Sequence, residues 1–89
     1  MTSRSWHIEV SDEAEKALRR APANLRRRLA RAVDRLATDP RPHGCRKLEG
    51  HDLWRVRVGG WRIVYAIEDQ QLLVLVVEVA PRGGVYRDL

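Results

Sequence analysis

LWRVRVGGWRIVY, Leu53 to Tyr65, reads as two short strands joined by Gly59-Gly60. Two glycines between alternating apolar runs signal a tight hairpin, because two-residue hairpin turns need positive φ. With the glycines as the loop, the pairing follows. Val58 faces Trp61, Arg57 faces Arg62, Val56 faces Ile63, Arg55 faces Val64 and Trp54 faces Tyr65. Side chains alternate across a strand. One face therefore carries Trp54, Val56, Val58, Trp61, Ile63 and Tyr65, and the other carries Arg55, Arg57 and Arg62 beside Val64.

The second face sets like charges against each other. Arg57 opposite Arg62 is destabilising by itself, and Arg55 lies diagonal to Arg62. Arginines on a solvated sheet face can simply keep it soluble. They can also form a preorganised anion site, since each guanidinium donates two parallel hydrogen bonds to a phosphate.

The chain has 89 residues, and one domain over 1–89 is expected. Apolar residues make up 44%, which is enough for a modest core and argues against disorder. Net charge is +5 with 17 Lys+Arg, and Lys16 and Lys47 are the only lysines. Such a balance favours a polyanionic partner, nucleic acid or an acidic protein. No apolar run reaches the length of a membrane span and no signal-peptide pattern opens the chain, so no membrane partner is expected. Cys45 is alone, which excludes an intramolecular disulfide and makes a reducing cytoplasm the expected compartment.

Outward from the hairpin, Trp6 to Val10 reads as a first strand. Ser11 is a good N-cap, and Asp12, Glu13 and Glu15 place negative charge at a helix start. This first helix should run to about Arg20, with Pro22 at the first position of a second helix. There Leu25, Leu29, Ala32, Val33 and Leu36 recur at helical spacing, and Asp39-Pro40 closes the element. The two helices form a hairpin that lies on the sheet. The far side of the second helix carries Arg26, Arg27, Arg28, Arg31 and Arg35, which is either a solvated face or a landing surface for RNA or an acidic partner.

Arg41 to Asp52 reads as a polar loop. His43, Cys45, Glu49 and His51 lie close together in it, at a spacing that matches no structural zinc pattern, so no metal is expected. His51 is an exposed loop histidine or a titrating group beside the arginine face. Glu68 to Gln71 is a turn, and Leu72 to Ala80, LLVLVVEVA, is apolar on both faces and therefore the central strand. Pro81 ends it, and Arg82 to Leu89 form a short tail. Tyr86 there is a core or edge filler or a stacking platform for a base.

Strand, two helices, then a three-stranded unit containing RVRVGGWRIVY, followed by V-A-P-R and a late V-Y, resembles the RelE/ParE toxins of toxin–antitoxin modules. Asp39-Pro40 and K-L-x-G at Lys47 to Gly50 are supporting matches. The resemblance covers nearly the whole chain. It implies an α+β fold, β-α-α-β-β-β, with an N-terminal strand and helical hairpin packed on one face of an antiparallel sheet. It also implies a cognate antitoxin as partner, with promoter DNA bound only through the antitoxin. In the RelE branch the toxin enters the ribosome and cleaves mRNA. In the ParE branch it poisons DNA gyrase and lacks a ribonuclease constellation.

By position, the RelE working residues fall on Arg55, Arg57, Arg62, Arg82 and Tyr86. No cofactor is implied, because the RNA 2′-hydroxyl is the nucleophile and attacks the adjacent phosphorus. Arg57 and Arg62 are then the phosphate clamp, and Arg55 fixes a neighbouring phosphate or lowers the cost of deprotonating the hydroxyl. Arg82 stabilises the leaving oxygen, and Tyr86 stacks on or orients the base. Two of these positions hold arginine where the family often has lysine. Arginine does not give up its proton, so no general base is identified.

Overall fold

A computed structural model of the chain describes residues 5–81. Its elements are β1 (His7–Val10), α1 (Asp12–Arg20), α2 (Ala23–Arg35), β2 (Arg46–Lys47), β3 (Trp54–Val58), β4 (Trp61–Glu68), a 3-10 turn at Asp69–Gln71 and β5 (Leu73–Pro81). The strands form one sheet in the order β1-β5-β4-β3-β2, with α1 and α2 on one face.

The β3–β4 hairpin has the register expected from its glycines, from Val58 opposite Trp61 to Trp54 opposite Tyr65. Only Gly59 of the pair takes positive φ, at 60°, the pattern of a II′ turn, whose first central residue carries the left-handed backbone. The tip is packed as well as bent: a Cβ on Gly59 would stand 3.2 Å from Leu25 Cδ1 of α2.

Alternation along the hairpin sends Ile63 and Tyr65 into the core, with Trp54, Val56, Val58 and Trp61 packed around them. Leu29, Val33 and Leu36 from α2, Ala14 from α1, and Val74, Val76 and Val79 from β5 complete this layer. The helices supply small and branched residues, which lets them sit close on the sheet. Ser11 caps α1 as expected, its Oγ accepting from the Ala14 N–H at 3.1 Å.

The sheet departs from the sequence reading in several places. It is mixed, because β1 runs parallel to β5, from His7 opposite Leu73 to Val10 opposite Val76. The two helices between β1 and the rest of the sheet make the long crossover that a parallel pair needs. Pro22 is the N-cap of α2 and not its first helical residue. The helix ends at Arg35, and its last turn tightens through Leu36 N–H to Val33 C=O and Ala37 N–H to Asp34 C=O before Asp39-Pro40 is reached. The 41–52 segment is not all loop. Arg46–Lys47 pairs antiparallel with Trp54 and Arg55, and Leu48 N–H donates to Leu53 C=O at 2.8 Å. The strand after the turn is interior, but β4 occupies the centre of the sheet.

β5 also carries a bulge. Val64 pairs with Glu78 and Tyr65 with Val76, which leaves Val77 as the extra residue. Val76 and Val79 thereby both reach the core, three residues apart.

Candidate active site

The face of the sheet away from the helices carries two registered rows. In the first, Arg57 of β3 stands opposite Arg62 of β4, which stands opposite Ala80 of β5. In the second, Arg46 of β2 stands opposite Arg55, which stands opposite Val64, which stands opposite Glu78. Directly opposed residues share a face, so four arginines and one carboxylate are gathered on a single side of a rigid sheet.

Their exposure is graded. Arg57 is exposed and Arg55 half-buried, while Arg62 is 6% exposed. Of the two sequence readings of this face, a uniformly solvated one fails at Arg62. Its flanks on the sheet, Val64 and Ala80, are also buried. A guanidinium held this way loses much of its freedom of movement, which suits a fixed fork more than a mobile surface charge.

Arg46 completes the cationic corner. With Arg55, Arg57, His43 and Gly44 it lines a cleft of about 480 Å³. Sequence reading passed over Arg46 because its strand is only two residues long. The available signal was Gly50 in a short loop between Leu48 and Leu53, a spacing compatible with a hairpin.

The basic surface continues round the edge of β3. Arg28, Arg31 and Arg35 of α2 line a second cleft, about 410 Å³, with His43, Pro42, Ala32 and the edge residues Val56, Arg57 and Val58. Part of the arginine face of α2 is therefore joined to the sheet's cationic corner, whereas Arg26 and Arg27 are exposed and stand outside that cleft.

A third cleft, about 380 Å³, is lined by Glu13 and Ala14 of α1, Leu48, His51 and Leu53 of the β2–β3 connection, Val64, and Val77 to Val79. Glu78 was hidden in the sequence inside an apolar run. Burial pushes its carboxyl above the usual carboxylate range, Arg62 pulls it down, and Glu13 pushes it up. His51 is exposed and borders this cleft.

Behind the site, Tyr65 is fully buried and its hydroxyl donates to the Pro40 carbonyl at 2.8 Å. Burial and Cys45 hold its phenol well above the ordinary range. Arg41 grips Asp69 through two hydrogen bonds, at 3.0 and 3.3 Å, and lies 5.1 Å from the centre of the Trp54 ring. These contacts fix the segment after α2 against the sheet. Arg82 and Tyr86, expected to complete the site, lie outside the described residues. Among the described residues no group of three His, Cys, Asp or Glu is gathered as a metal site, and no helix is long and apolar enough to cross a membrane.

Comparison with known proteins agrees with this architecture. Residues 8–86 match the family model described as the ParE toxin of the type II toxin–antitoxin system parDE. A Methanocaldococcus jannaschii chain named for the RelE1 toxin is 23% identical over 87 residues, covering 93% of this chain and 97% of its own. The RelE–RelB complex of Pyrococcus horikoshii contains a chain that superposes with a TM-score of 0.80 at 28% identity, over 89% of this chain and 97% of that one. The E. coli RelBE complex gives 0.77 at 23% identity, over 90% and 100%, a likeness of fold.

Proposed function

The chain belongs to the RelE/ParE family of toxins of type II toxin–antitoxin systems, and we propose that within it this protein acts as a ribosome-dependent mRNA interferase. The observation that carries the reading is the convergence of Arg46, Arg55, Arg57 and Arg62 in two adjacent rows on one sheet face. Catalysis of this kind needs no metal. The RNA brings the 2′-hydroxyl, and the protein holds the nucleotide in line while neutralising charge that builds on the phosphorane-like transition state.

Arg57 and Arg62 form the clamp on the scissile phosphate. Arg55 and Arg46, in the next row, engage a neighbouring phosphate. Arg82 supports the leaving oxygen and Tyr86 stacks on the base. The α2 arginines Arg28, Arg31 and Arg35 attract the RNA backbone without selecting its sequence.

The partner that restrains the toxin is a cognate antitoxin. RelE chains of this fold occur in complexes with RelB. An acidic or amphipathic antitoxin segment suits the cleft between α2 and β3, where β2 covers β3 only at Trp54 and Arg55. Promoter DNA is reached through the antitoxin.

The test is cleavage of mRNA on programmed ribosomes, with 5′-end mapping and melting temperature on the same preparations. Arg57→Ala should lower cleavage about a hundredfold or more, the scale for one transition-state charge donor. Its melting point should barely move, because Arg57 is exposed. Arg62→Lys keeps the charge and removes the fork, and should also lose most activity. Wild-type cleavage rates in both variants would remove the clamp. The matching family model is described for a ParE toxin, which favours a second reading, a non-catalytic inhibitor of DNA gyrase. Gyrase-linked DNA breaks without codon-phased mRNA cuts would select that one.

A further inference from the structure

None of Arg46, Arg55, Arg57 and Arg62 can take a proton from the RNA nucleophile, since arginine stays charged at any working pH. The lateral row Arg46, Arg55, Val64, Glu78 ends on a carboxylate that shares its row with two of the arginines. Val64, a short apolar side chain, separates Arg55 from Glu78. Adjacent strands stand about 4.8 Å apart, so Arg55 and Glu78 bracket a space of roughly 10 Å, enough to hold one nucleotide's sugar and phosphate. Arg62 sits diagonal to Glu78 across the β4–β5 pair. On its other side Glu78 opens into the cleft shared with His51 and Glu13.

We infer that Glu78 is the general base of the ribonuclease, a catalytic residue at the β5 bulge. The inference rests on the mRNA-cleaving reading above. The Glu78 carboxylate takes the proton of the 2′-hydroxyl. The 2′-oxygen forms its bond to the adjacent phosphorus and the bond from phosphorus to the 5′-oxygen breaks. The leaving oxygen takes a proton from water, and Glu78 returns its own to solvent. The products are a 2′,3′-cyclic phosphate and a 5′-hydroxyl end.

The surroundings suit that work. Glu78 is half-buried, and its carboxyl lies above the usual range because burial and Glu13 of α1 oppose its charge while Arg62 of β4 favours it. His51 faces the same cleft from the β2–β3 connection. Arg55 lies two strands away in the same row. On the β1 side, pairing with β5 stops at Val76, and Glu9 stands opposite Leu75. A base is most useful when its pKa approaches the working pH.

The experiment is single-turnover cleavage by the full chain on mRNA-programmed ribosomes between about pH 5 and 8. Glu78→Gln should cut the same bonds about a hundredfold or more slowly and lose the ionisation that governs the acidic limb. Glu13→Gln removes a neighbouring negative charge, lowers the Glu78 pKa, and should shift that limb to lower pH. Glu78→Asp should keep the limb at a reduced rate. A wild-type rate and profile in Glu78→Gln overturns the assignment while leaving the ribonuclease reading intact. A slow Glu78→Gln that keeps the acidic limb overturns it too, since Glu78 would then be structural. Should Glu78→Gln fail to fold, an unshifted limb in Glu13→Gln is decisive against it. A wild-type chain that cuts no mRNA on ribosomes brings down the ribonuclease reading, and this assignment with it.

Discussion

The Ser11 hydroxyl donates to the Val77 carbonyl oxygen at 3.2 Å, joining the N-cap of α1 to the bulge residue of β5 across 66 positions of sequence. The Ser11 Oγ also accepts from the Ala14 N–H, and the Ser11 N–H donates to the Val76 carbonyl oxygen at 2.9 Å. One residue thus starts a helix and holds the extra residue that turns Glu78 away from the core. Ser11→Ala should cost about 1–2 kcal/mol, the upper part of the range for a lost cap, because the bulge carbonyl also loses a donor. Urea melts read by circular dichroism check this. A change under about 0.3 kcal/mol would show that the link is idle.

Tyr65→Phe removes the hydroxyl from the core and leaves the Pro40 carbonyl oxygen without its 2.8 Å donor. Pro40 is itself buried, so water cannot easily replace the lost bond. The expected loss is about 1–2 kcal/mol, at unchanged fold. Equilibrium unfolding of the two proteins side by side measures it.

Gly59→Ala meets two obstacles at once. The position takes φ of 60°, where an L side chain is strained, and the new methyl would stand 3.2 Å from Leu25 Cδ1. Left-handed backbone alone costs about 1–2 kcal/mol. Gly60 has neither obstacle, so Gly60→Ala should be milder by a clear margin. Melting temperatures that rank the two variants the other way would contradict the turn geometry.

The Glu78 carboxyl carries a stability signature as well. Its folded pKa lies above the unfolded value of 4.5, so the folded state binds the proton more tightly. Stability from this group is complete below the unfolded pKa and is lost as pH rises through the folded one. Glu78→Gln cannot titrate. The melting temperature of wild type relative to Glu78→Gln should therefore fall as pH rises from about 4 towards neutrality. A difference that is flat across that window would place the carboxyl in ordinary solvent.

Local rules were enough for much of this fold. The β3–β4 register followed from Gly59-Gly60 and the alternation of Val56, Val58, Trp61 and Ile63, because a two-residue turn leaves no freedom to slip without moving the core face into water. The α1 start followed from Ser11 and the acidic residues behind it. The arginine triad could be placed on one face by parity alone, and its family resemblance followed from the same residues.

What the sequence could not decide depends on contacts between distant segments. Straight alternation from Val74 and Val76 places Glu78 in the core. The bulge at Val77, held by Ser11, reverses that parity and puts the carboxylate beside Arg62. The parallel seat of β1 on β5 arises from a crossover through two helices, and β2 exists only because β3 offers it an edge. Arg62 looks like a surface charge when its strand is read alone. In the folded sheet, with Val64 and Ala80 beside it, it is 6% exposed, because burial is a property of neighbours and not of the residue.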